Sequence, residues 1–280
     1  MKPAPFEFTA ATSLAEALEV LHQSEGDGKV ISGGQSLMPV LAMRLSRPSL
    51  LVDINRVPGL DYFNCEDGIL HIGGLVRHCE LVEQQKVPLL AEAAKWIGHA
   101  AIRSRGTFGG SIAHADSSAE LPVVATALEA TLVIAGPGGE REVPAAEFFV
   151  GALDTCLEAD EILIGARMPV PGNWGFAELS RRHGDFGMVS VVVAEVQGQW
   201  RIAVGGVSGT AHRPQEAEAV LNGGELSAAR LDEASRAVTA GLEFSTDIHA
   251  SAEYRSAMTQ EFTRRALAIA SKPSLIGAIS

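Results

Sequence analysis

Two short runs, Ser32-Gly33-Gly34-Gln35-Ser36-Leu37 and Thr107-Phe108-Gly109-Gly110-Ser111, hold the residue types from which a chain can build an anion site out of its own backbone. Adjacent glycines let the chain take positive φ and turn successive N–H groups to one side, with no Cβ in the way. Such a nest binds phosphate oxygens without a cationic side chain, and the hydroxyls of Ser36, Thr107 and Ser111 add donors. The device suits this sequence, because 34 Asp and Glu against 22 Lys and Arg leave a net charge of −12. A field of that sign disfavours a nucleic-acid partner and requires any anionic ligand to be held locally. Known phosphate loops do not match: no G-x-G-x-x-G follows a strand and no G-K-[ST] occurs, which disfavours a Rossmann site and a nucleoside triphosphatase. Taken singly, either diglycine reads more readily as a turn; a diphosphate held between the two stays open.

Other residues offer less. His114 and Asp116 stand two apart but lack a third ligand in view, so they read as a hydrogen-bonded loop pair rather than a metal site. Cys65, Cys79 and Cys156 are scattered and odd in number. That disfavours a disulfide framework, a structural zinc or an iron–sulfur cluster in this chain, and the three read as small buried hydrophobes. His78 and His99 read as structural, Arg181-Arg182 as a solvated strand end, and Phe186 as core. Arg103 and Arg105 read equally as surface cations or as charges that soften the field beside a diphosphate.

The elements that position these residues follow from period and breakers. The chain has 280 residues, 46% of them hydrophobic and 20% charged, enough for two compact domains or one large one and too apolar for disorder. No run of about 18 apolar residues is present to span a membrane, and residues 1–7 lack the apolar core of a signal peptide, so a cytoplasmic location is expected. Leu14, Ala17, Leu18 and Leu21 predict a helix opened by a Ser13–Glu16 capping box and closed at Gly26. A strand over 29–32 runs into the first diglycine. A short apolar turn through Val40 and Met43 precedes the Arg47-Pro48 break, and 50–54 reads as a buried strand. Further on, 69–73 reads as a strand and 89–98 as a helix, whereas 102–111 is too rich in glycine and polar residues for either form. A helix over about 119–129 and a strand over 130–135 follow. Pro169, Pro171 and Gly172 mark a boundary. Beyond it, 189–196 and 200–207 read as a hairpin turning at Gln197-Gly198-Gln199. Helices over 214–221, 227–240 and about 252–270 come next, the last with Tyr254, Met258, Phe262, Ala266 and Ile269 on one stripe. Strands first and helices afterwards suggest a separate α+β module.

Longer runs resemble something definite. Ser32-Gly33-Gly34-Gln35-Ser36-Leu37-Met38-Pro39 followed by Arg47-Pro48-Ser49-Leu50-Leu51-Val52-Asp53-Ile54 resembles the amino-terminal motif of the FAD-binding medium subunits of molybdenum hydroxylases, the carbon monoxide dehydrogenase and xanthine dehydrogenase relatives. Residues 102–116, from Ile102-Arg103-Ser104-Arg105-Gly106 to His114-Ala115-Asp116, with Ala119-Glu120-Leu121-Pro122, resemble the second motif of that family. Phe148-Phe149-Val150-Gly151 with Glu161-Ile162-Leu163 is similar to a third, and Arg181-Arg182-His183-Gly184-Asp185-Phe186 to a fourth. Four motifs in order across the chain make the match specific.

The resemblance implies an α+β fold of the vanillyl-alcohol oxidase (PCMH) type. Its FAD-binding domain would span 1–172, with subdomains of about 1–55 and 56–172, and a C-terminal sheet-and-helix domain would span 173–280. By the same resemblance, Val30 and Ile31 lead into the Ser32–Leu37 loop, and that loop and Thr107–Ser111 hold the FAD diphosphate. Glu120 meets the ribityl chain where relatives often carry Asp. Leu163 lies along the isoalloxazine, and Asp185-Phe186 approaches the ring. Relatives often place a lysine shortly before the Arg181-Arg182 position; here Ala177-Glu178 occupies that stretch. The implied function is electron transfer through FAD, from [2Fe-2S] clusters on a small partner subunit to an external acceptor, with a molybdenum cofactor on a large subunit. The family implies a dimer of such heterotrimers. Two rivals are a free-standing FAD oxidoreductase, disfavoured by the lack of an acid–base constellation beside the flavin motifs, and a scaffold subunit that has lost its flavin.

Overall fold

The computed structural model describes residues 2–272; residues 273–280 of the expected C-terminal domain lie outside the described residues. The chain opens with β1 (Glu7–Ala10), α1 (Leu14–Gln23), β2 (Gly28–Ile31), α2 (Leu37–Ala42) and β3 (Leu50–Asp53). The strands form a parallel sheet in the order β1-β3-β2, with helical crossovers as parallel pairing requires. At the start of α1, Ser13 Oγ accepts from the Glu16 amide at 3.1 Å, but the Glu16 carboxylate reaches back to the Thr12 amide at 2.7 Å, one residue short of a regular capping box. The expected turn through Val40 and Met43 is a helix, α2. It tolerates Pro39 because the proline lies in the first turn, where an N–H has no intrahelical partner to lose.

The second unit runs β4 (Phe63–Glu66), β5 (Ile69–Gly73), α3 (His78–Glu83), α4 (Pro88–Trp96), α5 (Ala100–Arg103), α6 (Phe108–His114) and α7 (Glu120–Ala127). It continues through β6 (Thr131–Gly136), β7 (Gly139–Pro144), α8 (Ala145–Phe148), the small hairpin β8 (Phe149–Gly151) and β9 (Asp154–Thr155), and β10 (Ile162–Pro169). Its sheet is antiparallel in the order β4-β5-β10-β6-β7. Residues 102–111 are not irregular as expected: α5 ends within them and α6 begins, capped by Thr107, whose Oγ1 accepts from the Gly110 amide at 3.1 Å. A cap and buried neighbours offset the poor helix propensity of two glycines.

The last unit contains β11 (Trp174–Leu179), β12 (Val189–Val196), β13 (Gln199–Gly205), α9 (Gln215–Asn222), α10 (Ala228–Ala237) and α11 (Ala252–Ala270). Val196 pairs with Gln199, so the β12–β13 turn is Gln197-Gly198, at φ 49° and 76°, the two positive values that a two-residue type I′ turn demands. One face of this sheet (Phe176, Val192, Ala194, Ala203) joins the core containing Leu90, Ala94, Val123 and Val124. The other (Ala177, Val191, Val193, Ile202, Val204) lies under the C-terminal helices. The hydrophobic core therefore continues past the Pro169–Gly172 break in the chain. On α11 the expected stripe is displaced: Tyr254 and Ile269 are exposed, and the buried face is Thr259, Phe262, Thr263, Ala266, Leu267 and Ala270. The reason is close approach. A Cβ at Gly175 of β11 would overlap the carbonyl of Ala266, so small side chains face the sheet there. The three cysteines are half-buried rather than buried. Among the described residues no helix is long and apolar enough to cross a membrane.

Candidate functional site

The first diglycine follows β2 directly. Gly34 sits at φ 69°, in the left-handed region that favours glycine, and α2 begins three residues later. The bend leaves donors unused: the amides of Gly33, Gly34, Gln35, Ser36 and Leu37 make no hydrogen bond to any described residue. Gln35 Nε2 donates to the Gly33 carbonyl at 3.0 Å, which stiffens the loop without spending those amides.

The second diglycine departs from expectation. Neither Gly109 nor Gly110 has positive φ, and their amides are already employed. Phe108 N donates to Val76 O at 2.8 Å, Gly109 N to Gly74 O at 2.9 Å, Gly110 N to Thr107 Oγ1 and Ser111 N to Thr107 O. Gly109 is there for packing: a Cβ would stand 2.7 Å from Gly74 Cα. Gly110 keeps room for two hydroxyls, since a Cβ would stand 2.8 Å from Thr107 Oγ1 and 3.0 Å from Ser32 Oγ. What this segment offers a ligand is hydroxyls and a helix start rather than a second ring of free amides.

The two segments touch. Ser32 Oγ and Thr107 Oγ1 lie 3.0 Å apart, and a Cβ on Gly33 would meet Arg105 O at 2.5 Å. Asn55, Arg77 and His78 brace this contact, the first two of them outside the sequence reading. Asn55 Nδ2 donates to Ser32 O at 2.8 Å, and Arg77 donates to Asn55 Oδ1 at 2.6 Å and to Arg105 O. His78 Nε2 donates to Thr107 O at 2.9 Å while Nδ1 has no partner among the described residues, so the ring is the neutral tautomer, and burial pushes it down to about 4. His78 braces the backbone of the second segment and also lines the cleft. No signal in the sequence marks Arg77, and Asn55, which directly follows the first motif, carries none in its residue type.

Together the segments wall a cleft with a cavity volume of about 690 Å³, within the range of small-molecule sites. Val30, Ile31, Ser32, Gly33, Gly34, Gln35, Ser36 and Leu37 line one side, and Thr107, Gly109, Gly110, Ser111 and Glu120 another. Leu163, at an irregularity in the β10–β6 ladder, and Asp185 and Phe186 from the last unit complete it. Phe108 does not belong: its side chain is fully buried in the core, because α6 turns it away from Thr107. Phe186, by default a core residue, is 72% exposed at the rim. Arg181 and Arg182 are exposed. Arg103 closes the end of α4 by donating to Ile97 O and Gly98 O, and Arg105 is exposed. Asp116 accepts from the Ser118 amide at 2.9 Å rather than from His114. Among the described residues no group of three or more His, Cys, Asp or Glu could hold a metal. Glu120, the first residue of α7, is 6% exposed, and burial raises its carboxyl above the ordinary range; its own amide opposes the shift and Asp116 adds to it.

A braced bend with five consecutive free amides, opening on a long cleft, fits the diphosphate of a dinucleotide. Comparison with known proteins agrees. Residues 4–171 match the FAD binding domain in molybdopterin dehydrogenase, and 174–270 match the CO dehydrogenase flavoprotein C-terminal domain. The chain is 43% identical to the 6-hydroxypseudooxynicotine dehydrogenase complex subunit alpha of Paenarthrobacter nicotinovorans, over 96% of this chain and 95% of that protein. It is 40% identical to the nicotine 6-hydroxylase medium subunit of the same organism, over 95% and 98%. The solved carbon monoxide dehydrogenase from Hydrogenophaga pseudoflava superposes with a TM-score of 0.91 at 37% identity, covering 96% of this chain and 98% of that one. The cleft between a parallel sheet, an antiparallel sheet and a C-terminal cover is thus the PCMH-type FAD fold, and the chain belongs to the FAD-binding medium subunits of the molybdenum hydroxylases, as an FAD-dependent oxidoreductase subunit.

Proposed function

We propose that this chain is the electron relay of a three-subunit hydroxylase, taking electrons from [2Fe-2S] clusters on a small partner and passing them to an external acceptor, while a large molybdenum-cofactor subunit holds the substrate. The observation that carries the reading is the run of amides from Gly33 to Leu37, without partners among the described residues, in a segment that lines the cleft. FAD, when bound, supplies the ability to take electrons singly or in pairs. The residues of this chain do the rest. The Gly33–Leu37 amides, with the hydroxyls of Ser32, Ser36, Thr107 and Ser111, bind the diphosphate, and Val30 and Ile31 carry the chain into that bend. Gly109 and Gly110 keep the helix start close, Glu120 accepts from a ribityl hydroxyl, Leu163 packs along the ring, and Asp185 and Phe186 cover it. In this reading 1–172 is the FAD-binding domain, with subdomains of about 1–55 and 56–172, and 173–280 is the cover. Two of these trimers pair into a dimer. Three unpaired cysteines suit a reducing, cytoplasmic location.

The test is reconstitution of the full-length chain with FAD, followed by absorption spectra and isolation of the complex from its native host. The expected result is about one FAD per chain, retained through gel filtration, with iron and molybdenum entering only with partner chains. A colourless chain that leaves added FAD free, or a lone chain that turns over substrate by itself, overturns the relay.

A further inference from the structure

Arg255 is the fourth residue of α11 and is 4% exposed. Two costs attach to it there: the N-terminal end of a helix disfavours a cation, and a buried guanidinium loses its water. The helix start is already capped, by Ser251 Oγ accepting from the Tyr254 amide at 3.2 Å. What offsets the costs lies outside the helix. Arg255 Nη1 donates to Met188 O at 2.9 Å and to Gly206 O, and Nη2 pairs with Asp247 at 2.8 Å. One planar fork thus serves two carbonyls and a carboxylate, a span for which a lysine ammonium is poorly shaped.

Both carbonyls belong to parts that close the cleft. Met188 ends the 180–188 loop between β11 and β12, and its amide donates to Leu179 O at 2.7 Å, so the loop leaves and returns at one point. Along the way it brings Asp185 and Phe186 to the cleft. Its far end rests on the corner between α4 and α5. There the His183 and Trp96 rings meet edge-on at 5.4 Å, and a Cβ on Gly184 would stand 2.6 Å from His99 Cε1. Gly206, just past β13, sits at φ 77°, where a Cβ would stand 2.7 Å from Gly187 O and 2.9 Å from Met188 O. Its amide donates to Ser117 O at 2.7 Å, beside Asp116 in the cleft wall. Asp247 is itself fixed, accepting from the His249 and Ala250 amides at 2.8 and 3.0 Å. Arg181, at the start of the loop, donates to Ile248 O at 3.4 Å in the same turn.

We propose that Arg255 is a positioning residue for the flavin: from α11 it ties the base of the 180–188 loop to the wall of the cleft, and so sets where Asp185 and Phe186 stand over the ring. That these two cover a flavin rests on the FAD reading; the tie itself does not. The 245–250 turn is the other half of the device, because Asp247 orients the guanidinium and the Ile248 carbonyl receives Arg181. Without the tie the loop keeps its contact with Trp96 and His99, but its base can shift. The ring then opens to solvent while the Gly33–Leu37 bend, on the far wall, still holds the diphosphate.

Hydrogen exchange of the full-length apo chain reads the tie, and iodide quenching of bound FAD fluorescence reads its effect. In Arg255→Met the amides of Asp185, Met188 and Gly206 should exchange about tenfold faster than in the wild type, the scale of one lost hydrogen bond to a charged group. With FAD added, the variant should retain the nucleotide, and iodide should quench it more steeply. If Arg255→Met does not fold, Asp247→Asn gives the same reading, since that residue is 45% exposed and an amide oxygen still accepts from His249 and Ala250. Loop amides at wild-type rates under a lowered urea midpoint would make the arginine a structural support only and overturn the proposal. So would a bound flavin no more open to iodide than in the wild type. A chain that takes up no FAD while its loop amides quicken refutes the flavin reading and leaves the tie standing.

Discussion

Gly109 and Gly110 look alike in the sequence and do different jobs in the fold. The neighbour of Gly109 is the backbone of Gly74, which cannot rotate away; the neighbours of Gly110 are two hydroxyls, which can. Gly109→Ala should therefore destabilise the protein by about 1–3 kcal/mol through overpacking. Gly110→Ala should cost less than about 1 kcal/mol but weaken FAD binding, because the added methyl pushes aside Ser32 Oγ and Thr107 Oγ1. Urea unfolding and flavin-fluorescence titration of the two variants separate these effects; equal losses of stability would sink the distinction. His78 gives a second test. Its folded value of about 4 lies below the ordinary imidazole value of 6.5, so the unfolded chain binds a proton that the folded chain refuses. Stability from this ring is complete above pH 6.5 and is lost as pH falls towards 4, by about 3 kcal/mol in all. The His78 ring should still be neutral by NMR at pH 5, and a ring already charged there would refute its burial as the cause. Much of the site was legible because main-chain anion sites need glycine and small hydroxyls in local runs. Arg77, Asn55 and Gly74 were not, since their part depends on neighbours distant in sequence.

Elements whose signal is local were the easiest to read. The first helix, β5 and the β12–β13 hairpin carry their period and turn residues within a few positions, and they fold where expected. Residues 102–111 failed because a cap and buried neighbours, not propensity, make them helical. β11 went unassigned because Gly175 and Glu178 break its apolar pattern, the first to admit α11 and the second to bury a carboxyl group. That account has a consequence for α11. In Gly175→Ala the new methyl overlaps the Ala266 carbonyl, and two regular elements must separate along their length. A loss of about 2–3 kcal/mol is expected, at the upper end of overpacking, read as a lower urea midpoint with an unchanged slope. A neutral variant would mean that α11 does not lie on β11 as closely as described.

At the scale of the molecule, the cleft borrows from all three units, and the parts are joined without ligand. One core runs from Leu90 and Val124 to Val192 and Ala203, and a second joins Ala17, Leu21 and Val52 of the first unit to Leu75, Ile162 and Ile164 of the second. A ligand lying across that cleft should stabilise the whole chain together, by about 2.7 kcal/mol at a free concentration one hundred times Kd. Amide hydrogen exchange resolves this global effect from the local one. Core amides in β5, β10 and β12 should slow by a common factor on addition of FAD, as expected if they open only with global unfolding. The amides from Gly33 to Leu37, which lack partners among the described residues, should exchange fast in the apo chain and slow by far more than the rest when the diphosphate takes them. Those of Phe108 and Gly109, already bonded to Val76 and Gly74, should show the common factor alone. If Phe108 and Gly109 gained the extra protection and Gly33–Leu37 did not, the division of labour between the two diglycine segments would be the reverse of the one argued from their geometry.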